Sequence, residues 1–281
     1  MTARDEILAT PAQLAAELAS GRPPVVLDVR WRLGGPDGWD EYVLGHIAGS
    51  VYVKLDLELA DPWHAATAGR HPLPTIEDFE NAARNWGIRR DSRVVVVDDS
   101  KGLAAGRAWW LLRYAGFPEV RLLDGGLKAW RAAGLPLVTE ITVPERGDVT
   151  LAYGALPVLD IDGAAAFPEH GVLLDARARE RFRGEVEPVD PVAGHIPGAV
   201  NAPTTENVDE SGAFLDAAAL RARFEALGVS DDGAVAVYCG SGVTAAHEAI
   251  ALTLAGFRPV LYPGSWSEWS NHPDRPVAVG D

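Results

Sequence analysis

Cysteine is nearly absent: Cys239 is the only one in 281 residues. One thiol cannot close an intramolecular disulfide, and a thiolate-rich zinc site is out of reach. Packing or reactivity is what remains for it. Basic charge is also scarce, 25 Lys and Arg against 40 Asp and Glu, a net −15 at pH 7. This balance excludes a broad electrostatic footprint for nucleic acid. It also means that any anionic ligand must be met by a local group of cations. No stretch approaches the ~20 apolar residues needed to span a bilayer, so no membrane association is expected. The N-terminal stretch carries Asp5, Glu6 and Glu17 and lacks the apolar core of a signal peptide, so a cytoplasmic location is expected. His71, His170, His247 and His272 show no metal-ligand spacing with one another, and neither a metal nor an organic cofactor is expected.

What is present is a repeat. Val25–Arg30 (VVLDVR) returns as Val172–Arg177 (VLLDAR), and Gly45–Gly49 (GHIAG) returns as Gly194–Gly198 (GHIPG). Ala115-Gly116-Phe117 returns as Ala255-Gly256-Phe257, and the Asp124–Trp130 segment is answered by Pro263–Trp269. The order is the same in both halves and the offset stays between 139 and 149 residues. A period of that length is a duplicated domain, too long for a solenoid repeat. The expected division is a first domain over 1–140, a linker over 141–156 and a second domain over 157–281. Short apolar runs such as Val94–Val97 and Ala234–Tyr238 read as strands buried on both faces, and helical stretches follow them. The fold class expected is α/β, each domain an open, mostly parallel sheet with helices on both faces. Two domains cover each other in such a chain, and a monomer is expected.

The segment richest in chemistry is Cys239-Gly240-Ser241-Gly242-Val243-Thr244, lying between a buried strand and a helix. Ligands of open α/β sheets bind at the carboxyl ends of strands. Gly240 and Gly242 let backbone N–H groups turn inward, and the following helix points its positive end at the same place. Both effects favour an anion at the loop centre, whether a thiolate, a persulfide or a bound oxyanion. Thr244 is expected to cap the helix. Asp99 is expected in the position of Cys239 in the first half, so only the second half carries a nucleophile. A cysteine phosphatase would need an Arg at the sixth position after the cysteine, where Ala245 stands.

With the VLLDAR, GHIPGAVN, CGSGVTA and GSWSEW segments together, the chain resembles the tandem-domain rhodanese family of sulfurtransferases. The cysteine loop is similar to that of the 3-mercaptopyruvate branch. The thiosulfate branch typically has Arg and Lys after the cysteine, where this chain has Gly240 and Ser241. The resemblance implies two-step transfer: Cys239 takes sulfur from a small anionic donor as a persulfide, then yields it to cyanide, a thiol or a thioredoxin-like acceptor. Thiosulfate as donor and a non-catalytic sulfur- or anion-binding module stay open as alternatives. The resemblance also implies that Arg181 binds the donor carboxylate, with Arg179 and Arg183 as further candidates. Val189 stands where the branch usually has a second Arg. Ser241 is implied to work in a proton relay with His46 and with Asp37 or Asp40. His195, Asp28 and Asp175 recur or pair across the halves, which favours structural roles, and Trp266 and Trp269 read as packing residues.

Overall fold

The computed structural model describes residues 3–281. The chain forms two compact units, each α/β, and neither is continuous in sequence. The first comprises residues 1–60, 74–155 and 208–214; the second comprises 61–73, 156–207 and 215–281. Residues 141–155, expected as linker, run along the first unit: Gly147 N donates to Arg84 O, Val149 N to Ile88 O and Ala152 N to Ala115 O, with Val149 and Leu151 buried.

The first unit contains strands β1 (Leu8–Ala9), β2 (Val25–Asp28), β3 (Val51–Tyr52), β4 (Val94–Val97) and β5 (Val120–Leu123). Their order in the sheet is β1-β5-β4-β2-β3, and every pairing is parallel. The second unit contains β6 (Gly171–Asp175), β7 (Val200–Asn201), β8 (Ala234–Tyr238) and β9 (Pro259–Leu261), in the order β7-β6-β8-β9, again all parallel. Central strands of parallel sheets are covered on both faces, which is why β4 is four consecutive buried valines. Alternate residues Val26, Val95 and Val97 pack on Leu14, Ile47, Leu127 and Trp130. The second unit repeats this with Leu173, Ala236 and Tyr238 against Ile196, Trp266 and Trp269. No helix among the described residues is long and apolar enough to cross a membrane.

The topology determines where a ligand can sit. From β6 the chain goes out to β7 on one side, then returns to β8 on the other. The crevice at such a switch point opens at the carboxyl ends of β6 and β8, marked by Asp175 and Tyr238. Cys239 is the next residue.

Candidate active site

Asp175 and Arg177, at the end of β6, form the floor of this region. Both are buried, with Arg177 Nη2 2.6 Å from Asp175 Oδ2. Arg177 Nη2 also donates to Gly194 O at 2.7 Å, and its guanidinium lies over the Trp266 ring, 4.7 Å from the centroid. The first unit builds the same device: Arg30 pairs with Asp28 at 2.9 Å and donates to Gly45 O at 2.7 Å. Breaking either pair would strand a buried charge, at a cost of roughly 3–5 kcal/mol. These pairs serve the fold in both halves, so Arg177 is a scaffold residue.

The histidines of the GHI segments are also scaffold. His195 Nδ1 meets Phe182 O at 2.8 Å and its ring stacks on Phe182, centroids 3.7 Å apart. His46 Nδ1 meets Tyr42 O at 2.8 Å, its ring stacks on Tyr42 at 3.9 Å, and its Nε2 meets Glu140 O at 3.0 Å. His46 was expected beside Ser241; it is instead fully buried, with both ring nitrogens on backbone carbonyls of its own unit. Asp37 caps the helix Gly38–Leu44 through the Trp39 amide, and Asp40 is exposed on that helix. Neither hydrogen-bonds His46.

The histidine that reaches the serine is His71. Its Nδ1 lies 2.8 Å from Ser241 Oγ, and both side chains are buried. His71 comes from the 61–73 segment, which belongs to the second unit. That strap is tied by Asp61 N to Pro72 O at 3.1 Å, by His272 Nε2 to Thr67 O at 3.0 Å, and by Arg70 N to Ser267 Oγ at 2.9 Å.

The loop itself is fastened from the helix Ser265–Trp269. Trp266 N donates to Cys239 O at 2.9 Å and Ser267 N to Gly240 O at 2.8 Å. Ser265 Oγ accepts from Cys239 N at 3.1 Å and donates to Tyr262 O at 2.9 Å. Ser265 sits at φ +57°, an unusual conformation for a residue with a Cβ. With carbonyls 239 and 240 turned to that helix, the loop amides face the other way. Gly242, at φ +75°, donates its N–H to Cys239 Sγ at 3.1 Å. The helix Thr244–Leu254 begins without a side-chain cap: its N-cap is Val243, and Thr244 is the first helical residue, not the cap expected. The positive end of this helix lies at the loop, and Cys239 is buried, 1% exposed.

The first unit fills the same cradle with its own carboxylate. Asp28 pairs with Val97 in the ladder, and Asp175 with Tyr238. Asp98, not the expected Asp99, is thus the counterpart of Cys239. Leu127 N bonds Asp98 O just as Trp266 N bonds Cys239 O. The Asp98 carboxylate accepts from Ser100 N and Oγ and from the amides of Gly102, Ala104 and Ala105, at 2.8–3.0 Å. Asp99 points to Arg32.

Of the basic run Arg177–Arg183, only Arg181 turns to the loop. Arg179 pairs with Glu206 and Arg183 with Asp281, both largely exposed. Arg181 Nη2 bonds Glu187 Oε1 at 2.7 Å and Asp190 Oδ2 at 3.1 Å. Arg70 Nη1 bonds the other oxygen of Asp190 at 2.6 Å. Burial works against ionisation of Glu187, but the Asp190 amide and the Arg181 guanidinium hold its carboxyl below the ordinary range. Gly240 lies against both arginines: a Cβ there would sit 3.3 Å from Arg181 Nη1 and 3.4 Å from Arg70 Nη2. Sequence reasoning missed His71, Arg70, Asp190 and Ser265. The one local signal was Gly69, at φ +87°, just before Arg70 and His71.

Residues 10–133 and 162–272 each match the rhodanese-like domain. The chain belongs to the rhodanese-like domain family. Within that family, a Pseudomonas aeruginosa protein provisionally named a 3-mercaptopyruvate sulfurtransferase is 49% identical, over 98% of both chains. A Mycobacterium tuberculosis protein provisionally named thiosulfate sulfurtransferase SseB is 47% identical, over 100% of this chain and 99% of its own. The crystal structure of SseA from Escherichia coli, described as a 3-mercaptopyruvate sulfotransferase, superposes with a TM-score of 0.81. It is 33% identical and covers 92% of this chain and 98% of its own. The two rhodanese-like domains of this chain thus differ at the head of the loop, a carboxylate at position 98 and a thiol at position 239.

Proposed function

We propose that this protein is a sulfurtransferase that moves sulfur from 3-mercaptopyruvate, through a persulfide on Cys239, to a thiophilic acceptor such as cyanide, a small thiol or reduced thioredoxin. The observation that carries the reading is the contact between Gly242 N and Cys239 Sγ inside an uncapped helix terminus. In the first step the Cys239 thiolate attacks the donor sulfur. The S–S bond forms, the donor C–S bond breaks, and its electron pair leaves on carbon as the enolate of pyruvate. The proton lost from the donor thiol returns to that carbon, leaving pyruvate and a negatively charged persulfide. Ser241 and His71, joined at 2.8 Å, form a hydroxyl–imidazole pair two residues from the nucleophile that can carry this proton. The loop amides stabilise the negative charge as it moves from Sγ to the outer sulfur. The acceptor then attacks the outer sulfur and regenerates the thiolate, a ping-pong scheme. Arg181 holds the donor carboxylate.

A second reading, thiosulfate as donor, is favoured by the two guanidinium groups beside Gly240, which place positive charge near a loop that has none of its own. Donor kinetics on the full chain decide between them. The expected result is a kcat/KM for 3-mercaptopyruvate at least tenfold above that for thiosulfate; the reverse ratio reassigns the donor. Intact mass after donor exposure should rise by one sulfur atom, about 32 Da, in the wild type and not in Cys239→Ser. Turnover retained in Cys239→Ser would overturn the assignment.

A further inference from the structure

We propose that Gly69 is a positioning residue for proton transfer: its close seat on the helix Ser265–Trp269 fixes the height at which the 61–73 strap presents His71 to Ser241. This rests on the sulfurtransferase reading and adds to it a residue that acts only through His71. Two properties reserve position 69 for glycine. Its backbone lies at φ +87°, ψ 177°, a combination that essentially only glycine adopts. A Cβ there would also meet Gly264 O at 2.9 Å, Ser267 Oγ at 3.1 Å and Glu268 N at 3.3 Å, all in the first turn of that helix. The seat itself is held from behind. Gly264 O accepts from Glu268 N at 3.1 Å and from Ser267 Oγ at 3.2 Å, and Ser267 Oγ accepts from Arg70 N at 2.9 Å. Strap backbone therefore rests directly on helix backbone, with no side chain between them to take up slack.

The same helix holds the cysteine loop, through Trp266 N on Cys239 O and Ser267 N on Gly240 O. One short element is thus the common reference for the nucleophile and for the histidine, and the thickness of the Gly69 contact sets their separation. Two side chains follow Gly69, and they differ in how they take a backbone shift. Arg70 is long and ends on Asp190 at 2.6 Å, so a change of rotamer absorbs the movement. The His71 ring is buried and joined to the backbone by one methylene, so it moves with the strap. A methyl group at position 69 must retreat from 2.9 Å to an ordinary contact of at least 3.4 Å, a shift of roughly 0.5 Å. Carried to His71, that shift stretches the 2.8 Å separation of Nδ1 and Ser241 Oγ to about 3.3 Å, past ordinary hydrogen-bond range. Proton transfer is the step that suffers, because it works only within hydrogen-bond reach.

The test measures pyruvate release from 3-mercaptopyruvate, at saturating acceptor, by wild type, Gly69→Ala, His71→Gln and the double variant, all as full chains. In Gly69→Ala we expect kcat to fall roughly tenfold or more with KM within about threefold. In the His71→Gln background the same substitution should change kcat by less than about twofold, because the group it acts through is already gone. A residue that only holds the fold together costs the same factor in both backgrounds. That result, or an unchanged kcat in Gly69→Ala, overturns the proposal. If Gly69→Ala does not fold, the outer tie of the strap carries the test, the solvent-exposed bond from His272 Nε2 to Thr67 O at 3.0 Å. His272→Ala should then lower kcat about threefold in the wild type and leave it unchanged in His71→Gln, with His272→Gln, which keeps an N–H donor, recovering part of the loss. Equal losses in both backgrounds, or none in either, overturn the seat. If the wild type releases no pyruvate, or if His71→Gln is as fast as the wild type, the donor or the proton-carrier reading fails and the seat with it. A slow His71→Gln beside a fast Gly69→Ala removes the seat alone.

Discussion

Ser265 shows how one residue can hold a site by staying strained. It adopts φ +57° where its counterpart in the first unit is Gly126, also at φ +57°. The left-handed conformation costs a residue with a Cβ about 1 kcal/mol, and glycine little. The cost is kept because Ser265 Oγ links Cys239 N to Tyr262 O. Ser265→Gly relieves the strain and loses the link, so its unfolding free energy should stay within about 1 kcal/mol of wild type. The rate of persulfide formation should nevertheless fall several-fold, because the amide next to the nucleophile is no longer tethered. Ser265→Ala keeps the strain and loses the link, and should be destabilised by about 1–2 kcal/mol. Chemical denaturation and single-turnover mass measurements on the two variants separate these effects.

At the scale of the element, the two strand–loop–helix units at β4 and β8 show what ionic content does to one backbone design. Asp98 satisfies five donors around its loop. Asp98→Ala should therefore destabilise the first unit by at least about 3 kcal/mol, read as a lowered denaturant midpoint. The cradle was legible in the sequence from Gly240, Gly242 and the strand Ala234–Tyr238, and both sheets were legible from the short apolar runs Val94–Val97 and Ala234–Tyr238. The Asp98 equivalence was not, because Asp98 and Asp99 are adjacent acids and only the ladder register of Val97 and Tyr238 separates them. His71 and Arg70 were also hidden. They lie in 61–73, a stretch with no partner in the internal repeat, and long-range contacts bring them to the loop. His46 was a plausible relay by motif, yet its symmetry with His195 was the better guide, since both rings are spent on carbonyls.

At the scale of the molecule, the second unit carries a buried polar cluster on the helix Thr244–Leu254, which follows the cysteine loop. Glu248 is fully enclosed, bonded by Asn207 Nδ2 at 2.6 Å and faced by Arg223 Nη1 at 3.4 Å. Thr204 and His247 join at 2.7 Å beside it. Burial pushes the Glu248 carboxyl up from its ordinary 4.5 to about 6, against the pull of Arg223. The folded protein then binds this proton more tightly than the unfolded chain does. The sign follows: the contribution of Glu248 to stability grows as pH falls from about 7 to about 4.5, by about 2 kcal/mol. Between pH 7 and pH 5 the wild type should gain stability relative to Glu248→Gln, whose own difference over that range should be smaller. Thermal unfolding of both proteins at the two pH values checks this, and parallel curves would refute it.

The sequence composition of the two units has a consequence for inheritance. The unit that holds Cys239 takes 61–73 from the first half, and the other unit takes 208–214 from the second. This is a reciprocal loan between the two copies of an ancestral gene. A fragment starting at 156 would keep the nucleophile but leave behind His71 and Arg70. A fragment ending at 155 would leave behind 208–214, where Phe214 N bonds Asp124 Oδ1. Once such a trade is made, neither copy can be deleted, shuffled or expressed alone without taking part of the other with it. Each half of the sequence thus completes the unit built mainly from the other.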